Sequence, residues 1–213
     1  RSHTIVRTCV LLAPEIFAAM LIIFVGSYVQ SSIGFGLAII SAPVLFFIDP
    51  MYVPAPITIS ALTLSIANAA KHRHAVSFTD LRFAILGRVP GTVVGGLLLI
   101  WMDVQGLALF LGVSVIVAVL LSLSGLRFRA TKASMFSAGL LSGFMGTSSG
   151  IGGPPMALVM QHEGSDFVRA NLAAFFIVSS IMSLIMLTAV DRFGQKEMII
   201  SLPLMPAALA GYW

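Results

Sequence analysis

The sequence predicts an all-α polytopic membrane protein of two homologous helical repeats, an inverted relation between them being favoured over a parallel one. Each repeat is interrupted by a Ser/Gly-rich break that starts a short broken or re-entrant helix. Three observations carry this. Of 213 residues, 58% are hydrophobic and only 9% charged, and mean hydropathy is +1.03. A soluble domain carries about 25% charged residues, so too few polar side chains exist here to cover a water-facing surface. The apolar segments are continuous rather than alternating, which argues for spanning helices and against a β-barrel. Finally, GSYVQSSIGFG, from Gly26 to Gly36, returns as GFMGTSSGIGG, from Gly143 to Gly153.

The first apolar segment runs from Ala13 to Val29. Arg1 and Arg7 precede it as in a signal peptide, but no small-residue cleavage site follows, and the segment belongs to the repeat; it is read as a mature helix. QSSIGFG then breaks the chain. The next piece, Leu37 to Ile48, is closed by Asp49-Pro50. At ~1.5 Å per residue it reaches only ~18 Å, short of a ~30 Å apolar core. A third segment covers Pro54 to Ala70, and the basic loop Lys71–Arg82 follows. The fourth covers Phe83 to Trp101, with Asp103 in its exit turn, and the fifth Val104 to Leu123. After Arg127, Arg129 and Lys132 comes a sixth, Ala133 to Gly146. TSSGIGGPP and the short piece Met156–Gln161 follow, then Ala170–Val190 and Met198–Trp213.

Loops Lys71–Arg82 and Leu126–Lys132 hold most of the interior Lys and Arg. The positive-inside rule places both in the cytoplasm and Asp103 outside. The net charge of +4 therefore reflects helix orientation, and no nucleic-acid partner is expected. Cys9 is the only cysteine, so neither an intramolecular disulfide nor a cysteine metal cluster can form. His72 and His74 stand among cations, with Asp80 the nearest carboxylate, and make a poor metal site. No cofactor is expected.

A shift of 117 residues superposes Gly26 on Gly143, Ser31 on Ser148, Ser32 on Ser149 and Gly36 on Gly153. A shift of 116 superposes Pro90 on Pro206 and Gly95 on Gly211. The first repeat bundle is assigned to residues 13–125 and the second to 133–213. The second copy stops where the first has reached Gly96–Leu97, so its last helix, about 30 residues by analogy with the first copy, is expected to be missing.

Irregular backbone at membrane depth is tolerated only inside protein or along a wet cavity. Glycines allow the turn and let backbone approach a ligand. Pro154 and Pro155 suit the start of a fresh helix, whose N-terminus offers N–H donors and partial positive charge. The hydroxyls of Ser31, Ser32, Thr147, Ser148 and Ser149 add donors. Small residues also let membrane helices pack closely, which explains any single break equally well. Two breaks at equivalent repeat positions, each followed by an undersized apolar piece, point instead to a transporter site. The candidate substrate-binding residues are Gln30, Ser31, Ser32, Gly34, Gly36, Thr147, Ser148, Ser149, Gly150, Gly152 and Gly153. Asn68 and Arg88 join them. Asn68 lies near the end of the third segment, where an amide is costly unless paired; Asn171, near the start of its counterpart, suits a helix cap equally well. Arg88 adjoins the stripe Gly87, Gly91, Gly95. A charge this far into a segment is a candidate anion partner. The proximity of Arg82 favours an interfacial, snorkelling Arg88 instead.

GSYVQSSIGFGLAIISAPVL and LLSGFMGTSSGIGGPPMALVM resemble the paired signature segments of the sulfite exporter TauE/SafE family, also called the toluene-sulfonate uptake permease family. The resemblance covers essentially the whole chain, including GRVPGTVVGG. It implies a polytopic carrier, built by internal duplication, for small sulfur-containing anions and organosulfonates. Asn68 resembles an Asn common in the family at this place.

The expected function is secondary transport of a small sulfur oxyanion or organosulfonate, by alternating access, across the cell (plasma or inner) membrane. Its partners are the anion and the bilayer, and a homo-oligomer is left open. No Walker motif is present, so ATP does not drive it directly. A passive anion channel is the first alternative. An intramembrane serine hydrolase using Ser148 or Ser149 ranks below it, because all four His lie in loops or the N-terminal tail; no enzyme is expected.

Overall fold

A computed structural model describes residues 14–123 and 128–213. Arg1, His3, Arg7, Cys9, Ala13 and Arg127, and the repeat boundary at residue 125, lie outside the described residues. Ten α-helices follow one another among the described residues: α1 Pro14–Ile33, α2 Leu37–Ile48, α3 Ala55–Lys71, α4 Phe78–Trp101 and α5 Val104–Leu123, then α6 Lys132–Ser149, α7 Gly153–Met160, α8 Ser165–Ala189, α9 Gln195–Ser201 and α10 Leu204–Tyr212. None of these residues forms a strand. Four stretches are long and apolar enough to cross a membrane: α1, residues Leu81–Trp101 of α4, α5 and α8.

Local chemistry sets the boundaries. Asp103 Oδ1 accepts from Gly106 N at 2.7 Å and starts α5, the usual N-cap role of a short acidic side chain. Thr131 and Ser134 form a reciprocal capping box at the head of α6. Asp49 Oδ1 accepts from Met51 N at 2.8 Å in the turn after α2. Pro154 and Pro155 occupy the first turn of α7. The last apolar stretch is not one helix: α9 ends at Ser201, and Pro203 stands before α10, since proline cannot carry the α-helical hydrogen bonds through.

Both breaks are shorter than the sequence suggests. α1 runs past Val29 to Ile33, and α6 runs past Gly146 to Ser149. The serines that looked like helix breakers bond to their own helices. Ser31 and Ser32 both donate to the Tyr28 carbonyl, Ser148 to Phe144 and Ser149 to Met145. Such back-bonding satisfies a hydroxyl without leaving the helix. The chain turns only at the glycines, where Gly34, Gly36 and Gly150 take φ of 98°, 124° and 80°.

Packing falls into two larger cores and a small third cluster, Ala55, Leu99, Leu107 and Leu187, which joins α3, α4, α5 and α8. One larger core joins α1, α2 and α3 with α10, through Ile23, Leu45, Ile57, Leu64 and Leu204. The other joins α6, α7 and α8 with α4, through Met135, Met156, Phe175, Leu81 and Ala84. α4 and α6 are in near backbone contact. A Cβ on Gly87 or Gly91 would stand 2.0 Å from the Phe136 or Leu140 carbonyl oxygen, and one on Gly139 2.0 Å from that of Ala84. α10 meets α1 the same way: a Cβ on Gly211 would stand 2.3 Å from the Phe24 carbonyl oxygen. Small residues permit this approach, which gives helices attraction in a membrane without a hydrophobic driving force. The outward faces carry Leu21, Tyr28, Leu109, Ile116, Leu120 and Ile185, all exposed.

Candidate functional site

The two breaks meet at one cavity of about 40 Å³, lined by Phe35 and Gly36 of the first and Gly150 to Gly153 of the second. α3 adds Thr58, α4 adds Arg88, and α8 adds Phe176, Ser179, Ser180 and Ser183. One water needs roughly 10–15 Å³ of such space, so the cavity holds about three waters, room suited to a small oxyanion.

Arg88 dominates its electrostatics. The residue is 2% exposed. It sits ~15 Å from the start of α4 and ~20 Å from its end, at ~1.5 Å per residue. Nη1 donates to Ser142 Oγ at 2.8 Å; Nη2 donates to Ser183 Oγ at 2.9 Å and to the Ser179 carbonyl at 3.3 Å. The guanidinium lies 5.5 Å from the Phe175 ring centroid. Nε has no partner among the described residues. Every group it touches is neutral, and no carboxylate lines the cavity. A buried charge without a counter-ion is costly, so this wall favours an anion. The interfacial reading of Arg88 is thereby overturned: the side chain turns inward because Gly146 leaves it space. A Cβ there would stand 3.0 Å from Nη2 and 3.3 Å from Nη1.

Of the sequence candidates, Gln30, Gly36, Arg88, Gly150, Gly152 and Gly153 line the cavity. Gln30 is buried and closes the first break: its Oε1 accepts from Leu37 N, at the head of α2, at 3.2 Å. The cavity wall omits Ser31, Ser32, Gly34, Asn68, Thr147, Ser148 and Ser149. Gly34 packs against Leu172 and Arg169. Asn68 is buried in α3. Thr147 Oγ1 is 2.9 Å from Ser183 Oγ, so it supports Arg88 through that hydroxyl. Ser31, Ser32, Ser148 and Ser149 donate their hydroxyls to their own helices, and Ser149 Oγ also accepts from Ile151 N in the break at 3.4 Å. The head of α7 offers fewer donors than the sequence implied, since Pro154 and Pro155 have no N–H and Gly152 N bonds to the Gly150 carbonyl at 3.2 Å.

The hydroxyls that meet the guanidinium are Ser142 and Ser183 instead. Ser142 lies one turn before Gly146, and Ser179 and Ser183 are one turn apart on α8, hydroxyls in an otherwise oily segment. That spacing was the available signal. Asn171 joins helices from outside the cavity: its Oδ1 accepts from Ser77 N, at the head of α4, and its Nδ2 donates to the Phe167 carbonyl, both at 2.8 Å. Two arginines outside the cavity satisfy helix C-termini. Arg169 donates to the Ser32 carbonyl at 2.7 Å, and Arg192 to those of Leu99 and Met102, both at 2.6 Å.

Compared with models of protein families, residues 19–213 match the one described as Sulfite exporter TauE/SafE. No curated protein and no solved structure matches the chain significantly.

Proposed function

The chain belongs to the sulfite exporter TauE/SafE family, a family of membrane transporters for sulfur-containing anions, and from that premise we propose that it carries a small sulfur oxyanion or organosulfonate on Arg88 by alternating access. The observation that carries the reading is the guanidinium on the cavity wall, buried and bonded only to neutral groups. A planar guanidinium offers forked donors that match oxyanion geometry. Phe35 and Phe176 give the cavity an apolar side, which suits the carbon end of a sulfonate.

The proposal includes duplicated halves. Its support is the exchange of partners: α4 packs with the helices of the second half and α10 with those of the first. Rocking of one core against the other would alternately open a site held between them. The cell membrane is the proposed location.

The test is binding followed by exchange. Sulfite, thiosulfate or methanesulfonate should raise the melting temperature of the purified protein, and acetate should not. Arg88→Gln should remove that protection. Unchanged protection in Arg88→Gln defeats the assignment. In proteoliposomes, substrate on the far side should accelerate exchange; exchange without such acceleration makes the protein a channel. The serine hydrolase alternative is not favoured: no His lines the cavity, and the Ser148 and Ser149 hydroxyls bond to their own helix.

A further inference from the structure

Away from the Arg88 cavity, unlike charges line a second space without meeting. Arg82 of α4 and Lys132 of α6 both flank the ring of Phe83, the guanidinium carbon 4.8 Å and the Lys132 nitrogen 5.7 Å from its centroid. Two cations gathered at one ring repel each other, and an ion pair with an acid would relieve this. Neither makes one among the described residues. They line a cavity of about 410 Å³ together with the apolar Met135, Met160 and Phe167 and the exposed acid Glu163. Arg82 is the second residue of the spanning stretch Leu81–Trp101, and Lys132 is the first of α6. Both therefore stand where an apolar core meets lipid head groups, on the side that the positive-inside rule assigns to the cytoplasm.

We infer that this cavity binds a phospholipid bearing both a phosphodiester and a primary ammonium. The phosphate lies between Arg82 and Lys132, which removes their mutual repulsion. The ammonium meets Glu163, whose carboxylate would repel a purely anionic lipid. An acyl chain runs over Phe83 and Phe167, the half-buried apolar side chains of the wall, with the buried Met135 and Met160 behind them. A head group with both a phosphodiester and N–H donors satisfies all three charged side chains.

The experiment is native mass spectrometry of the full chain titrated with phosphatidylethanolamine, phosphatidylglycerol and phosphatidylcholine, with a melting assay in inorganic phosphate alongside. Phosphatidylethanolamine should be retained about tenfold better than the other two, the scale of one charge-assisted hydrogen bond between its ammonium and Glu163. Arg82→Gln combined with Lys132→Gln should abolish that retention, and Glu163→Gln should lower it to the phosphatidylglycerol level. Equal retention of the lipids, or retention untouched by these exposed-site variants, overturns the inference. So does protection by inorganic phosphate alone, which makes the site one for free anions. Sulfur-anion protection through Arg88 should persist in all variants, so failure here is distinguishable from failure of the transport reading.

Discussion

Arg88 of α4 donates to the hydroxyl of Ser142 on α6 at 2.8 Å, and Ser142 in turn donates to the Gly152 carbonyl at 2.5 Å. The one cation on the cavity wall is thus tied to the second break through a single hydroxyl. Nη2 ties the same group to α8 through Ser183. An anion that draws on the guanidinium must act on the break and on α8 together.

Arg88→Met separates binding from folding. The guanidinium is desolvated and has no counter-ion, so its removal should leave the ligand-free melting temperature equal or higher, as for other buried charges replaced by apolar groups. Anion affinity should fall by at least about tenfold, since truncating one member of a buried charge pair costs roughly 2–5 kcal/mol. Arg88→Lys should recover part of it, keeping charge but losing the fork. Isothermal titration with sulfite and a thermal melt of each variant check this. A large fall in ligand-free stability would make Arg88 a structural residue.

Gly91→Ala should be among the most damaging single-methyl changes. Its Cβ would stand 2.0 Å from the Leu140 carbonyl oxygen, and backbone cannot swing aside as a side chain can. Overpacking typically costs about 1–3 kcal/mol, and here α4 must part from α6 along its length. Gly112→Ala is the control. Nothing lies within 4 Å of its Cβ, and alanine is the better helix former by about 1 kcal/mol, so stability should hold or rise. Unfolding in mild detergent reads both.

The same glycines show how much the sequence disclosed. Composition and continuous apolar segments were enough for the helices up to Ala189, while Met198–Trp213 reads as one segment and is parted at Pro203, and the i, i+4, i+8 spacing of Gly87, Gly91 and Gly95 marks a contact face. The breaks were legible as positions but not as conformations. A serine near a glycine suits a loop donor and a helix-bonded hydroxyl equally, and the choice depends on whether the helix continues far enough to bring the i−4 carbonyl within reach. For Ser32 and Ser149 it does. Arg88 was ambiguous for a related reason: snorkelling and inward burial differ only in what stands across the helix. Gly146, which makes the inward pose possible, lies 58 residues away in sequence. The caps made by Arg169 and Arg192 were hidden because balanced loop charges say nothing about which carbonyls lie nearby.

Serine substitutions should divide accordingly. Ser32→Ala and Ser149→Ala should leave anion affinity within about twofold, because Ser32 loses only a bond to its own helix and Ser149 loses one such bond and a long one, at 3.4 Å, accepted from Ile151 N. Ser142→Ala should weaken binding by roughly tenfold, leaving Arg88 Nη1 and the Gly152 carbonyl without that partner, at about 1–3 kcal/mol for an unsatisfied buried group. Ligand-dependent melting curves of the three variants make the comparison. Equal losses in all three would return the site to the breaks' own hydroxyls.

Gly36→Ala addresses the motion. Phe35 lines the cavity between two glycines of positive φ, Gly34 and Gly36, so backbone that few other residues adopt holds one aromatic against the site. At Gly36 the strain is conformational rather than steric. The nearest atom to an added Cβ is Val29 Cγ1 at 3.5 Å, an ordinary contact, while φ of 124° disfavours any L side chain by about 1–3 kcal/mol. Alanine should therefore bias the break towards other conformations without touching Arg88. The expected result is anion affinity within a few-fold of wild type but a transport rate reduced tenfold or more, the pattern of a gating step rather than a binding one. Phe35→Ala should do the reverse, keeping the backbone but removing the aromatic wall, and so raise passive leak of the anion in proteoliposomes. If Gly36→Ala binds and transports like wild type, the first break is a static bend and the moving part of the cycle lies elsewhere.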